Sequence, residues 1–170
     1  MILSLKVPGG SDIIISMRDV TVGKSHNNIL YAYIAGFLDG DGAVSAAIER
    51  HLEKKFGFRV RVTLDFYQHK DNIAVLKHIR KIIGEGSLGK SIRNTHKLSI
   101  KNQTTLKRIL PLLHEYSIIK KKQIVIALKI LHKKVDSKKD LIRNAQYADK
   151  LCALNVRSKS IRKNDSSIII

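Results

Sequence analysis

The feature that most constrains this chain is a change of hydrophobic period at Gly42, with no linker between the two patterns. Before it, Leu30, Tyr33, Ile34, Phe37 and Leu38 recur at helical spacing, preceded by Asn27-Asn28 as a capping pair. After it, Val44, Ala46 and Ile48 alternate with Ser45, Ala47 and Glu49, as on a strand with one buried face. A helix must therefore pass the chain straight into a strand through Asp39-Gly40-Asp41-Gly42. A second face of the same helix, Ala32, Ala35, Gly36 and Gly40, is bare. Glycine costs about 1 kcal/mol in a helix interior, so small residues at this spacing point to a second backbone packed closely against them.

The pattern beyond this junction continues as an α+β domain. A basic turn at Glu53-Lys54-Lys55 leads into Phe58 to Tyr67, the cleanest strand in the chain. Val60, Val62, Leu64 and Phe66 line its core face, and Arg59, Arg61, Thr63, Asp65 and Tyr67 its open face. Asp71 or Asn72 caps a helix carrying Ile73, Leu76, Ile79 and Ile83, which Gly84 stops. Two short strands follow between Gly86 and Lys101, with Leu88, Ile92, Leu98 and Ile100 inward and a turn near Asn94-Thr95. A helix from about Thr104 uses Leu106, Ile109, Leu110 and Leu113, and Pro111 kinks or ends it. Residues 118–134 read as another helix, and Ser137-Lys138-Lys139-Asp140 opens the last one as a capping-box variant. The order predicts a four-stranded antiparallel sheet, half solvated, with helices on its other face. Residues 1–26 read as an irregular arm with one short strand from Ser11 to Ser16, 27–155 as the domain, and 156–170 as a basic tail.

Composition narrows the partner. Lys and Arg total 32 against 14 acids, a net charge of +18, in a chain that is 44% hydrophobic. A folded domain with that excess suits a polyanion, because each cation that neutralises a phosphate releases a condensed counterion. The single Cys152 has no internal disulfide partner and sits among Ala148, Leu151 and Leu154 at helical spacing, as a core thiol does. No run approaches the roughly 20 apolar residues of a membrane span, and no export signal is visible, so the expected location is the cytoplasm or an organelle interior. Asp39 and Asp41 stand out in this basic setting. The following Gly42 suggests a calcium loop, but Ala43 and Arg50 stand where further oxygen ligands would be needed. Carboxylates at a helix C-terminus face the negative end of the macrodipole, an unfavourable placement that a bound cation would offset.

The run Ile34-Ala35-Gly36-Phe37-Leu38-Asp39-Gly40-Asp41-Gly42 resembles the signature of the LAGLIDADG homing endonucleases. It occurs once, which resembles the single-motif type that works as a homodimer. The resemblance implies an αββαββα fold with a saddle-shaped sheet. It implies a homodimer seam at Ala32, Ala35, Gly36, Asp39 and Gly40, with Asp39 in a more structural role. By the same resemblance Asp41 and the Gly40 carbonyl hold a catalytic Mg2+ or Mn2+, with no small-molecule cofactor and no membrane partner. Two further matches extend it: Gln68, directly after Tyr67, and Lys120 in Ile119-Lys120-Lys121-Lys122-Gln123, both implied to be catalytic. Asn72 stands where some relatives carry a basic residue, and Lys70 is the nearest substitute.

The substrate so implied is double-stranded DNA, cut at a long pseudo-palindromic site. A two-stranded ribbon fits the major groove, where Arg bonds guanine and an acid accepts from cytosine. The first-hairpin candidates for contact are Ser45, Ala47, Glu49, His51, Arg59, Arg61, Thr63, Asp65, Tyr67 and Lys70. The second hairpin offers Ser87, Ser91, Arg93, Lys97, Ser99 and Lys101. An RNA maturase or a non-cutting DNA-binding regulator that retains the fold is the alternative. A ribosomal-type RNA binder would explain the charge but not a bare helix ending in two acids.

Overall fold

The computed structural model describes residues 3–5, 13–15, 24–90 and 93–155. It divides into two units, Met1–Leu30 and Tyr31–Ile170. In the first, β1 (Leu3–Leu5) and β2 (Ile13–Ile15) pair antiparallel, with Leu3 opposite Ile15. The expected strand near Ser11 to Ser16 is present as β2, and the arm is less irregular than predicted because β1 supplies the backbone partners that a lone strand lacks. Helix α1 (Lys24–Asp41) starts before Asn27, so Asn27 and Asn28 lie inside it rather than capping it.

In the second unit α1 runs directly into β3 (Gly42–Arg50), followed by β4 (Phe58–His69), α2 (Ile73–Ile83), β5 (Ser87–Lys90) and β6 (Thr95–Ile100). The remaining elements are α3 (Gln103–Tyr116), α4 (Lys121–His132) and α5 (Lys138–Leu154). The four long-domain strands form one antiparallel sheet in the order β3-β4-β6-β5. One face of this sheet supplies Val44, Val62, Leu64, Phe66, Leu98 and Ile100 to a core shared with Ile34 and Leu38 of α1. Leu76, Ile79 and Ile83 of α2 and Leu106, Ile109, Leu110 and Leu113 of α3 close it. Each such side chain contributes about 1.5–3 kcal/mol by burial, so period and core agree on which face of every element is inside.

Local chemistry accounts for the boundaries. Asn102 caps α3 by accepting from Thr104 N at 2.9 Å and Thr105 N at 3.2 Å. Pro111 lies inside α3 and does not end it, since the buried residues on both sides of it keep the two halves on the core. Gly84, at φ 84°, closes α2 in the left-handed conformation. The β5–β6 turn places both Arg93 and Asn94 in the left-handed region, one residue earlier than predicted. Ser137 and Asp140 form the full capping box, with Ser137 Oγ accepting from Asp140 N at 3.1 Å and Asp140 Oδ2 from Ser137 N at 3.2 Å. Helix α4 is shorter than the predicted 118–134, because residues 118–120 are held by a side chain from elsewhere, as described below.

The junction at Gly42 is sterically closed. A Cβ there would lie 2.5 Å from Leu38 Cδ1 and 2.8 Å from both Cα and O of Leu38. At Gly36 and Gly40 an added Cβ would meet nothing within 4 Å. Gly42→Ala is therefore expected to lower the unfolding free energy by about 2 kcal/mol through overpacking against backbone. Gly36→Ala meets no such clash within its own chain and gains helix propensity, so it should cost less stability than Gly42→Ala. Urea titrations of the two variants check this; a Gly42→Ala protein as stable as the parent would contradict the clash.

Candidate active site and nucleic-acid interface

Strand register assembles the open face row by row. Ala43, Asp65, Ser99 and Ser87 lie across all four strands in one row, and Tyr67, Lys97 and Gly89 in the next. Toward the other end, Ser45 faces Thr63, Ala47 faces Arg61 and Glu49 faces Arg59. The predicted face residues on β3, β4 and β6 are thus together, while Ala43, Gly89 and Thr95 join them without having been singled out; counting by twos from Asp65 through the register finds all three. His51 and Lys101 lie just past strand ends, Lys70 sits in a single 3-10 turn (Lys70–Asn72) and Arg93 in the β5–β6 turn. Ser91 and Ile92 lie outside the described residues.

Charge on this face is organised rather than scattered. Glu49 Oε2 accepts from Arg59 Nε at 3.0 Å and lies 3.0 Å from an Arg61 terminal nitrogen. Both guanidiniums stay partly exposed, so Glu49 orients them toward the open side while leaving donors unspent. Asp65 and Ser99 differ from the expectation of open contact residues: they are on the open face by parity but only 7% and 4% exposed. Lys97 Nζ, 3.9 Å from Asp65 Oδ2, and the Tyr67 hydroxyl, 3.5 Å from it, lie over this row.

The end of the sheet nearest α1 carries the predicted catalytic residues. Gly42 pairs with Phe66 in antiparallel register, so Asp41 and Gln68 lie at the same sheet end. Gln68 is within β4 rather than after it, and its Oε1 accepts from His69 N at 2.8 Å. Asp41 is exposed. The Asp39 carboxylate, two residues earlier, is 8% exposed and fully engaged. It accepts from Ser117 Oγ at 2.5 Å, Ile118 N at 2.6 Å, Ile119 N at 3.1 Å and Lys120 N at 3.0 Å. Those amides lie just before α4, so the segment leading into one helix satisfies a charge placed at the negative end of another. Lys120, immediately before α4, is thereby fixed beside the end of α1 and is itself 7% exposed. Ser117, fully buried, is the functional neighbour that no sequence pattern marks, because a serine between two helices looks like any turn residue.

The expected seam needs two corrections. Ala35 is 0% and Asp39 8% exposed: both point into their own chain, on the side of Leu38, and neither is open to a partner. The helix face that stays open carries Tyr33, Gly36 and Gly40, with Ala32 at its margin. As for a metal, no three His, Cys, Asp or Glu side chains cluster among the described residues. The exposed Asp41 carboxylate with the adjacent Gly40 carbonyl is a hard-oxygen donor pair of the kind a divalent cation accepts.

Burial of Asp39 works to raise its pKa, but the bonds from Ser117 and the amides of Ile118, Ile119 and Lys120 outweigh it and hold the carboxyl below its ordinary value. A group lowered on folding contributes stability that is fully present above its unfolded value of about 4 and is lost as pH falls through the folded value. The stability difference between the parent and Asp39→Ala should therefore shrink as pH is lowered below about 4. Thermal or urea unfolding across that range checks it; a difference independent of pH would mean that the charge plays no part in the clamp.

Known proteins resemble this chain in both sequence and fold. Residues 34–130 match the family model for LAGLIDADG endonucleases. The DNA endonuclease I-CvuI of Chlorella vulgaris is 31% identical over 129 residues, covering 74% of this chain and 80% of that protein. The crystal structure of the homing endonuclease I-CvuI with its target, in the presence of calcium, superposes with a TM-score of 0.77 at 27% identity, covering 85% of this chain and 92% of the other. The homing endonuclease I-TnaI shares the fold, with a TM-score of 0.67 at 22% identity over 82% of this chain and 92% of that one. The family model spans more than half of the chain, from α1 into α4, and the chain belongs to the LAGLIDADG endonuclease family of site-specific, metal-dependent DNA-cutting enzymes.

Proposed function

We propose that two copies of this chain pair along the Gly36 and Gly40 ridge of α1 and cut both strands of a long pseudo-palindromic DNA site, using magnesium or manganese. The observation that carries this reading is the contrast between two acids on one helix end: Asp39 is saturated by its own chain, whereas Asp41 is left exposed. The open ridge supports pairing, because a glycine face that meets nothing within 4 Å in its own chain admits a second backbone at close range. Twofold pairing would bring one Asp41 from each copy to the axis.

A bound divalent ion would lower the pKa of an attacking water and stabilise the leaving oxygen. The chain's own residues do the rest. Asp41 and the Gly40 carbonyl hold the ion, Gln68 orients water at the same sheet end, and Lys120 stabilises charge developing on the phosphoryl oxygens. The open sheet face lies in the major groove, with Arg59 and Arg61, both steadied by Glu49, as guanine readers, and with the chain's +18 charge setting affinity for phosphates. The setting is a compartment that holds duplex DNA, either the cytoplasm or an organelle interior.

Asp41→Asn should keep binding to duplex, measured with calcium in place of magnesium, while the cleavage rate falls by roughly a hundredfold or more. Magnesium-dependent cutting at the parental rate would remove Asp41 from the metal site. A duplex target for this assay comes from selecting cleaved sites out of a randomised pool. Gly36→Leu should convert dimer to monomer in sedimentation while the fold, judged by circular dichroism, is kept; a fully dimeric Gly36→Leu protein would place the seam elsewhere.

A further inference from the structure

We propose that Asp39 is a positioning residue for cleavage, fixing the backbone of Lys120 relative to Asp41; this rests on the reading of Lys120 and Asp41 as cleavage residues. The two carboxylates leave the same helix end two residues apart, so whatever holds Asp39 is registered to the metal-binding turn. What holds it is the segment leading into Lys120. Ser117 Oγ and Lys120 N both meet Asp39 Oδ1, at 2.5 and 3.0 Å, and Ile118 N and Ile119 N meet Oδ2, at 2.6 and 3.1 Å. Lys120 N also donates to Ser117 Oγ at 3.2 Å, which closes the network on itself.

Three further observations tie the position of Lys120 to this contact. Lys120 directly precedes α4, and its own backbone N–H is held by Asp39, 81 residues earlier in the chain. Its carbonyl accepts the first α4 bond, from Ile124 N at 2.9 Å, so a shift of Lys120 is a shift of the helix start. Ile118 and Ile119 are 84% and 61% exposed, so their own side chains bury little surface and the carboxylate is what holds their amides. An Asn at position 39 would present one acceptor oxygen and an amino group aimed at other donors, and would release about half of the network.

The test is a double-mutant cycle read as single-turnover cleavage at saturating enzyme, beside duplex affinity measured in calcium. Asp39→Asn should slow cleavage roughly 10- to 100-fold, the scale of a misplaced reacting group, with affinity unchanged. In a Lys120→Ala background the same change should slow cleavage no further, because there is no ammonium left to place. Ser117→Ala, a milder loss of one donor, should behave alike: slower in the parent and without effect in Lys120→Ala. This variant decides the matter if Asp39→Asn does not fold. Losses that multiply in the Lys120→Ala background, or full-rate cleavage by Asp39→Asn or Ser117→Ala, would overturn the positioning role alone. Lys120→Ala cutting at the parental rate would instead remove the lysine from the reaction, and with it what Asp39 positions.

Discussion

A carboxylate at the end of a helix faces the helix's own unpaired carbonyls, and something must answer it. For Asp39 the answer comes from Ser117 and three successive amides just before α4. This contact ties together segments far apart in the chain around a carboxylate that is itself largely shielded, where an unpaired charge is costly. It also distinguishes the two acids of the motif: one is engaged by its own chain, and the other stays exposed. The turn that carries Asp41, the start of β3 and the position of Lys120 all refer back to it.

The second constraint is steric. Gly42 sits where a Cβ would press into Leu38 backbone, so the helix can enter the sheet without a loop only because that atom is missing. The consequence reaches the whole open face, since β3 is paired residue by residue with β4, and β4 with β6. A register set at the helix end thereby decides which side chains look outward along the entire ribbon. The arginines at its far end are further organised by Glu49, an acid that would be misplaced on a phosphate-binding surface were it not engaged with both of them.

Much of this was legible from one chain. The period change at Gly42, the alternation along β4 and the capping box at Ser137 to Asp140 are local patterns, and local hydrogen bonding and burial enforce them. Asp41, Gln68 and Lys120 could be located through motif resemblance, and all three lie near the α1 end of the sheet. What a linear pattern misjudged were questions of side. Ala35 and Asp39 look like members of a bare ridge but turn inward by a fraction of a helical turn. Asp65 alternates correctly and is nevertheless covered, because Lys97 and Tyr67 from its surroundings lie over it.

The sequence by itself determined the fold class, the junction between α1 and β3 and the basic character of the open face. These depend on periodicity, on a missing Cβ and on charge, each carried by neighbouring residues. Only the tertiary structure decided that Ser117 to Lys120 would close around Asp39, that the open ridge runs through Gly36 and Gly40 without Ala35, and that Glu49 would hold two arginines at once. Each of those joins groups distant in the chain, whose meeting depends on how the helices and strands pack, and no local spacing encodes that distance.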